Sequence, residues 1–162
     1  QLVSLKKQNL KASEYAGKSI DQLFPKEIFD KSIMKKMSIS ETIIAVNDGG
    51  GKFSIQKLPS NVQFSCVCDI ICKDLNNDGN IDILTAGNNF EFKPQYSRLD
   101  ANYGSVLLGD GKLGFSWQDY NKSGFVIKNE VKHLKTINDK NGKAFIVAAV
   151  NNDTPKIFSI NE

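Results

Sequence analysis

Hydrophobic and polar positions follow two different rhythms along the chain. Over residues 1–40 the clearest pattern has a period near four. Phe29, Ile33 and Met37 recur along KEIFDKSIMKKM, while Lys26, Asp30 and Lys31 fall elsewhere. Pro25 suits a first helical turn, where its missing N–H costs nothing. This predicts an amphipathic helix over 26–37, with shorter helical pieces around 13–17 or 20–24. From residue 41 the rhythm changes to short runs rich in Ile, Val and Phe, separated by Gly, Asn and Asp. The runs fall at 42–46, 52–56, 66–73, 81–86, 104–108, 115–118, 131–137, 144–150 and 156–160. Their connections lack helical periodicity, so antiparallel strands are expected rather than β-α-β units. The chain is therefore read as a helical insertion or linker, 1–40, followed by a β region, 41–162.

The β region repeats itself. IIAVNDGGGKFSIQ (43–56) aligns with VLLGDGKLGFSWQ (106–118), placing Asp48 against Asp110 and Phe53 against Phe115, both 62 residues apart. NNDGNIDILTAGNN (76–89) aligns with DKNGKAFIVAAVNN (139–152), with Gly79 and Gly142 63 apart. Two anchors at nearly one spacing imply a recurring four-strand unit of about sixty residues, the length of a propeller blade with decorated loops.

Composition narrows the classes of function. No apolar run approaches the roughly 18 residues of a membrane helix, so no spanning segment is expected. Residues 1–20 hold no apolar stretch of the signal-peptide kind. The net charge of +3 comes from the first 40 residues, where eight Lys face four acids. Arg98 is the only arginine, whereas nucleic-acid recognition leans on the guanidinium fork, so no nucleic-acid partner is expected. Cys66, Cys68 and Cys72 share one strand-like run, FSCVCDIIC, and the only histidine is the distant His133. That spacing lacks the second ligand pair of a zinc site, so these read as buried or half-buried strand thiols of open redox state.

The strongest chemical signal is DLNNDGNID, residues 74–82. Oxygen-bearing side chains stand at Asp74, Asn76, Asp78 and Asp82, with Gly79 for the sharp turn and the Asn80 carbonyl available between. A hard divalent cation takes six to eight oxygens, and a tight loop can converge alternate side chains on one point. Three carboxylates so close repel one another without a cation. With no His or Cys among the donors, Ca²⁺ is the favoured ion. An EF-hand does not fit: Thr85 stands where its bidentate Glu belongs, and strand-like segments flank the loop. In the second copy, the 63-residue spacing puts Ile137 in place of Asp74 and Phe145 in place of Asp82, so only the first loop is expected to hold calcium.

Other motifs carry less. Gly109-Asp-Gly111-Lys-Leu-Gly114 satisfies the G-x-G-x-x-G pattern, but FSWQDYNKSGF follows it instead of a helix, so no nucleotide site is expected. His133 has no partner arrangement for catalysis. Arg98 and Asp100 are read as bracing the long loop after residue 86. Trp117, Tyr103 and Tyr120 are read as packing between blades. Asn121-Lys-Ser123 and Asn152-Asp-Thr154 match the glycosylation sequon without further support.

The series strand–DLNNDGNID–ILTAGN, followed by VLLGDGKLGF, resembles the FG-GAP/VCBS-type repeat of integrin-like β-propellers. AGNNFEFKPQYSRLDANYGSVLLGDG is similar to secreted or surface bacterial repeat proteins of this group, including ASPIC-type members. The resemblance covers residues 41–160. It implies a calcium loop between the first two strands of a blade, with side-chain ligands Asp74, Asn76, Asp78 and Asp82 and the Asn80 carbonyl.

The expected fold is mainly β: a partial β-propeller of about two to two-and-a-half four-stranded antiparallel blades, preceded by a helical segment. Strands 42–46 and 52–56 would be the outer pair of one blade, 66–118 a full blade, and 131–160 three strands of a third. A ring of four to eight blades would need more, either from the same propeller or from another chain. The resemblance implies a non-enzymatic adhesion, scaffolding or ligand-binding module with protein or glycan ligands, placed at the cell surface, outside the cell or in the periplasm. The alternative is the substrate-binding part of a carbohydrate-active enzyme whose catalytic residues lie elsewhere, since no acid–base pair stands out here.

Overall fold

A computed structural model describes residues 3–160. The chain divides into two compact units, Gln1–Ser40 and Glu41–Glu162. Among its described residues the first unit contains four short helices: α1 (Val3–Gln8), α2 (Ala12–Ala16), α3 (Ile20–Leu23) and α4 (Lys26–Asp30). The Gln22 side chain accepts from the Ser19 N–H at 3.0 Å and tightens the start of α3. The helix expected over 26–37 stops at Asp30. Ile33, Met34 and Met37 are all at least four-fifths exposed. A helix this short is held by packing of its apolar stripe, and these side chains find none.

The second unit is mainly β. Nine strands form three antiparallel sheets, and each expected run supplies one strand. The first sheet pairs β1 (Ile43–Gly49) with β2 (Lys52–Lys57). The second runs β3 (Val67–Lys73), β4 (Asp82–Gly87), β5 (Ser105–Gly109) and β6 (Phe115–Trp117) in that order. The third runs β7 (Val131–Asn138), β8 (Ala144–Val150) and β9 (Lys156–Ser159). A short helix, α5 (Tyr120–Ser123), follows β6 and is capped by Asp119 accepting from the Asn121 N–H at 2.8 Å.

Strand registers reproduce the sequence repeat. Val46 pairs with Ser54 and Asn47 with Phe53, as Leu108 pairs with Ser116 and Gly109 with Phe115, at the same 62-residue offset. A bulge between Val67 and Asp69 recurs between Val131 and His133. Beyond it, Asn88 N–H donates to the Cys66 carbonyl at 3.1 Å, and Asn151 N–H donates to the Glu130 carbonyl at 2.8 Å.

These registers also correct one sequence alignment. Lys73 pairs with Asp82 where Ile137 pairs with Phe145, so β3 and β7 are offset by 64 residues while β4 and β8 are offset by 63. The second turn is one residue shorter. Asn138, not Ile137, therefore takes the place of Asp74. Phe145 does take the place of Asp82.

The middle sheet is buried on both faces at β4, its inner strand, and alternation there and along β5 sends side chains to two cores. Leu84 and Ala86 join Val106, Phe125, Ile127, Val131, Leu134, Ile146, Ala148 and Val150 on the side of the third sheet. Ile83 and Leu107 join Leu58 and Val62, with Ile44, Phe115 and Trp117 packed against them, on the side of the first. Every residue of β4 is buried as a result. A cross-sheet bond adds register: Leu134 N–H donates to Asp69 Oδ2 at 2.8 Å, and this bond holds the Asp69 carboxyl below its usual range.

The loop from 88 to 104 is organised by two buried asparagines. Asn102 N–H donates to Asn88 Oδ1 at 2.9 Å, and Asn88 Nδ2 donates back to the Asn102 carbonyl at 2.6 Å. Arg98 braces the same loop by donating to Asp100 at 2.9 Å while its guanidinium lies 4.7 Å from the centre of the Phe90 ring. Tyr120 packs between Trp117 and Tyr103, at 5.3 and 6.1 Å between ring centres. All three cysteines are free thiols. Cys66 is half-buried as expected, whereas Cys68 and Cys72 are exposed, because the outward face of β3 takes every second residue. Desolvation still pushes the Cys68 thiol pKa up.

Candidate metal centre

The loop Asp74–Asp82 joins β3 to β4 across the pair Lys73 and Asp82. Its backbone coils tightly because Asn77 and Gly79 both adopt left-handed conformations, with φ of 60° and 86°. No Cβ could sit at Gly79 without strain, whatever the space around it.

Side chains inside this coil bond to its own backbone. Asp74 Oδ2 accepts from the Gly79 N–H at 2.8 Å, which closes the turn end to end. Asn76 Oδ1 accepts from the Asp78 N–H at 3.2 Å, and Asp78 Oδ1 accepts from the Asn80 N–H at 2.8 Å. Asn76 Nδ2 donates to Asp78 Oδ2 at 3.0 Å. The Asn80 N–H, followed by the Asn76 amide, holds the Asp78 carboxyl below its usual range, so it is ionised at neutral pH. Asp74, Asn76 and Asp78 are thus drawn around one turn of backbone.

The remaining two expected ligands are placed differently. Asn80 turns its side-chain oxygen toward the β5–β6 hairpin, where a Cβ on Gly111 would come within 2.4 Å of it. Its contribution to the loop would be its backbone carbonyl. Asp82 is fully buried at the start of β4. Its Oδ2 accepts from the Leu75 N–H at 2.8 Å and its Oδ1 from the Gly109 N–H at 2.9 Å. Asp82 therefore clamps the loop to the end of β5, with one acceptor position left on each oxygen. Gly109 permits this approach, since a Cβ there would stand 2.2 Å from the Ile81 carbonyl oxygen. The sequence singled out Gly109 only as the first glycine of the G-x-G-x-x-G pattern, and nothing there linked it to Asp82.

One atom tests whether the loop suits a cation. Asp74 Oδ1 is buried and accepts no hydrogen bond. A buried carboxylate oxygen without a donor or a positive charge is costly, and a bound cation would remove that cost. The donors are all hard oxygens, as Ca²⁺ requires. Among the described residues, no three His, Cys, Asp or Glu side chains gather as a metal cluster. This loop mixes carboxylates with an amide and a carbonyl. The fit is therefore to Asp74, Asn76, Asp78 and the Asn80 carbonyl, with Asp82 supporting them.

The second loop has a different chemistry. Asp139 Oδ1 accepts from the Asn141 and Lys143 N–H groups at 2.8 and 2.9 Å, and Asp139 N–H donates to the Lys143 carbonyl at 2.9 Å. Lys143 takes the place of Asn80, and its ammonium lies 5.7 Å from the centre of the Phe145 ring.

Of the other sequence candidates, His133 is four-fifths exposed, with Nδ1 3.6 Å from Asp69 Oδ2. Compared with protein-family models, with characterised proteins and with solved structures, the chain gives no significant match.

Proposed function

We propose that this chain is a calcium-stabilised part of a β-propeller of the FG-GAP/VCBS type. It would act outside the cytoplasm as a non-enzymatic adhesion, scaffolding or ligand-binding module. The observation that carries the cation is the buried, unpartnered Asp74 Oδ1 inside a loop of hard oxygen donors. Asp74, Asn76, Asp78 and the Asn80 carbonyl would hold Ca²⁺, and solvent would complete its shell on the exposed side. The ion would offset the repulsion between Asp74 and Asp78 and fix the β3–β4 turn.

Support for the propeller comes from the repeat in register and from the stacking of three sheets face to face. The outer faces of that stack are apolar: Phe53 and Ile55 on β2, and Ile137 and Ile157 on the third sheet, are all roughly half exposed or more. Such faces suit further blades. Isothermal titration of the chain with CaCl₂ tests the cation directly. One site is expected, at affinities typical of extracellular modules, about 10⁻⁴–10⁻³ M, and it should be lost in Asp74→Ala. No heat of binding with the intact chain would overturn the reading.

A further inference from the structure

The hairpin between β5 and β6 carries all three glycines of the G-x-G-x-x-G pattern, and each lies against a close neighbour. A Cβ would stand 2.2 Å from the Ile81 carbonyl oxygen at Gly109, 2.4 Å from Asn80 Oδ1 at Gly111 and 2.2 Å from Asp110 Oδ2 at Gly114. Gly114 therefore answers to the turn itself, whereas Gly109 and Gly111 answer to the loop between β3 and β4. The β1–β2 hairpin of the first sheet is the repeat of this one. There Asn47 pairs with Phe53 as Gly109 pairs with Phe115, and Gly49, in the place of Gly111, has open space where a Cβ would go. The close approach at 109 and 111 thus belongs to the hairpin that abuts the candidate calcium loop.

This turn is closed by Asp110, whose Oδ1 accepts from the Lys112 and Gly114 N–H groups at 2.7 and 2.8 Å. On one side it meets the loop twice. Asn80 Oδ1 rests over Gly111, and Asp82 Oδ1 accepts the Gly109 N–H. The Asp78 carboxyl, held below its usual range by the Asn80 N–H first and the Asn76 amide next, also has the Asn80 side chain as a hydrogen-bonding neighbour. The Asn80 side chain therefore stands between a candidate ligand carboxylate and the turn. On the other side the turn meets the first sheet. The Gln56 side-chain amide on β2 donates to the Leu113 carbonyl, and Phe115, just past the turn, packs on the same core as Ile44 of β1.

We propose that the turn 110–114 is the outer seat of the calcium loop: it positions Asn80, whose carbonyl is a ligand, and calcium in return orders the turn and its contact with the first sheet. A carbonyl is held in place only if its residue cannot roll. Here the Asn80 side chain is stopped by the bare backbone of Gly111, and Asp82, two residues on, is tied to Gly109. Coupling between two sites is reciprocal, so whatever the turn contributes to calcium affinity, calcium returns as stability of the turn. Gly111 and the Asn80 side chain are positioning groups, because they act on the ion only through the Asn80 backbone. The inference rests on the calcium reading of the preceding section.

Two measurements on the full chain test this, with CaCl₂ as the probe. In calorimetric titration, Gly111→Ala should bind calcium about tenfold more weakly than the intact chain. In an Asn80→Ala background, which keeps the carbonyl and removes the oxygen over Gly111, the same change should cost less than about twofold. Backbone strain at Gly111, with φ of 70°, is present in both backgrounds and cancels. In hydrogen exchange, calcium should slow the Lys112 and Gly114 amides and those of β2, and Gly111→Ala should lose the effect. Gln56→Ala should keep it at the turn and lose it at β2. Equal calcium affinity of the intact chain and Gly111→Ala, a tenfold loss in both backgrounds, or exchange at the turn that ignores bound calcium would each overturn the turn's role alone. No calcium binding by the intact chain would overturn the cation reading and the seat with it.

Discussion

At the residue scale, Asp78 and Asp82 share one loop but are used differently. Asp82 is buried and accepts the Leu75 and Gly109 N–H groups, so its removal orphans two donors. Asp82→Ala is expected to cost about 3 kcal/mol in urea unfolding, with or without calcium. Asp78→Ala, at an exposed position, should shift the unfolding curve in chelator far less and abolish calcium binding. Similar effects of both in chelator would contradict this division. The sequence showed that both residues have oxygen ligands to offer; it could not show that a strand 27 positions away spends one of them. Glu130 was silent in the sequence for the same reason. Its buried carboxylate takes Lys132 Nζ and Asn151 Nδ2, each at 2.7 Å, and the Lys132 contact, foremost, holds its pKa below the usual carboxylate range. A carboxyl depressed in the folded state stabilises above its unfolded pKa, and that contribution is lost as pH falls through the folded value. The melting temperature should therefore fall below about pH 4, and less steeply in Glu130→Gln. Equal acid slopes for the two proteins would exclude this role.

At the element scale, period-two patterning with turn residues between the runs was legible, and nine expected strands are nine strands. Local chemistry decides these: β-branched residues in short runs, with Gly and Asn at most positions where φ turns positive. The helix over 26–37 was misread because periodicity reports only which side chains could share a face. Ile33 and Met37 have the spacing but no surface to cover, so the helix ends at Asp30. The offset of 64 along β7 was hidden because a one-residue deletion in a turn leaves the flanking strands looking aligned. Two-sided burial of β4 makes a further prediction about the two cores. Val62 belongs to one and Ile146 to the other. Val62→Ala and Ile146→Ala should each destabilise, the latter by about 2–5 kcal/mol, and their effects should add within about 0.5 kcal/mol in the double variant. A coupling well above that would mean that the two interfaces form one continuous core.

At the scale of the whole β unit, three sheets of two, four and three strands stack on two shared apolar cores, and the first sheet repeats the β5–β6 part of the second. Where the repeat covers both interfaces, Ile44 corresponds to Val106 and Leu107 to Phe158, whereas the bond from Leu134 to Asp69 has no counterpart in the first sheet. That stack gives the Asp74–Asp82 loop a fixed base, because Asp82 is anchored to the end of β5 inside the middle sheet. A cation at the loop would then stabilise the folded chain by mass action, roughly 0.4–1.4 kcal/mol at about 1 mM Ca²⁺. If a calcium ion sits against Asp74, it must change how readily the chain unfolds. Thermal unfolding should be followed for the intact chain and for Asp74→Ala, each in chelator and in millimolar CaCl₂. The melting temperature of the intact chain should rise with calcium and return on chelation, while that of Asp74→Ala should not respond. Equal melting temperatures for the intact chain in both buffers would contradict it.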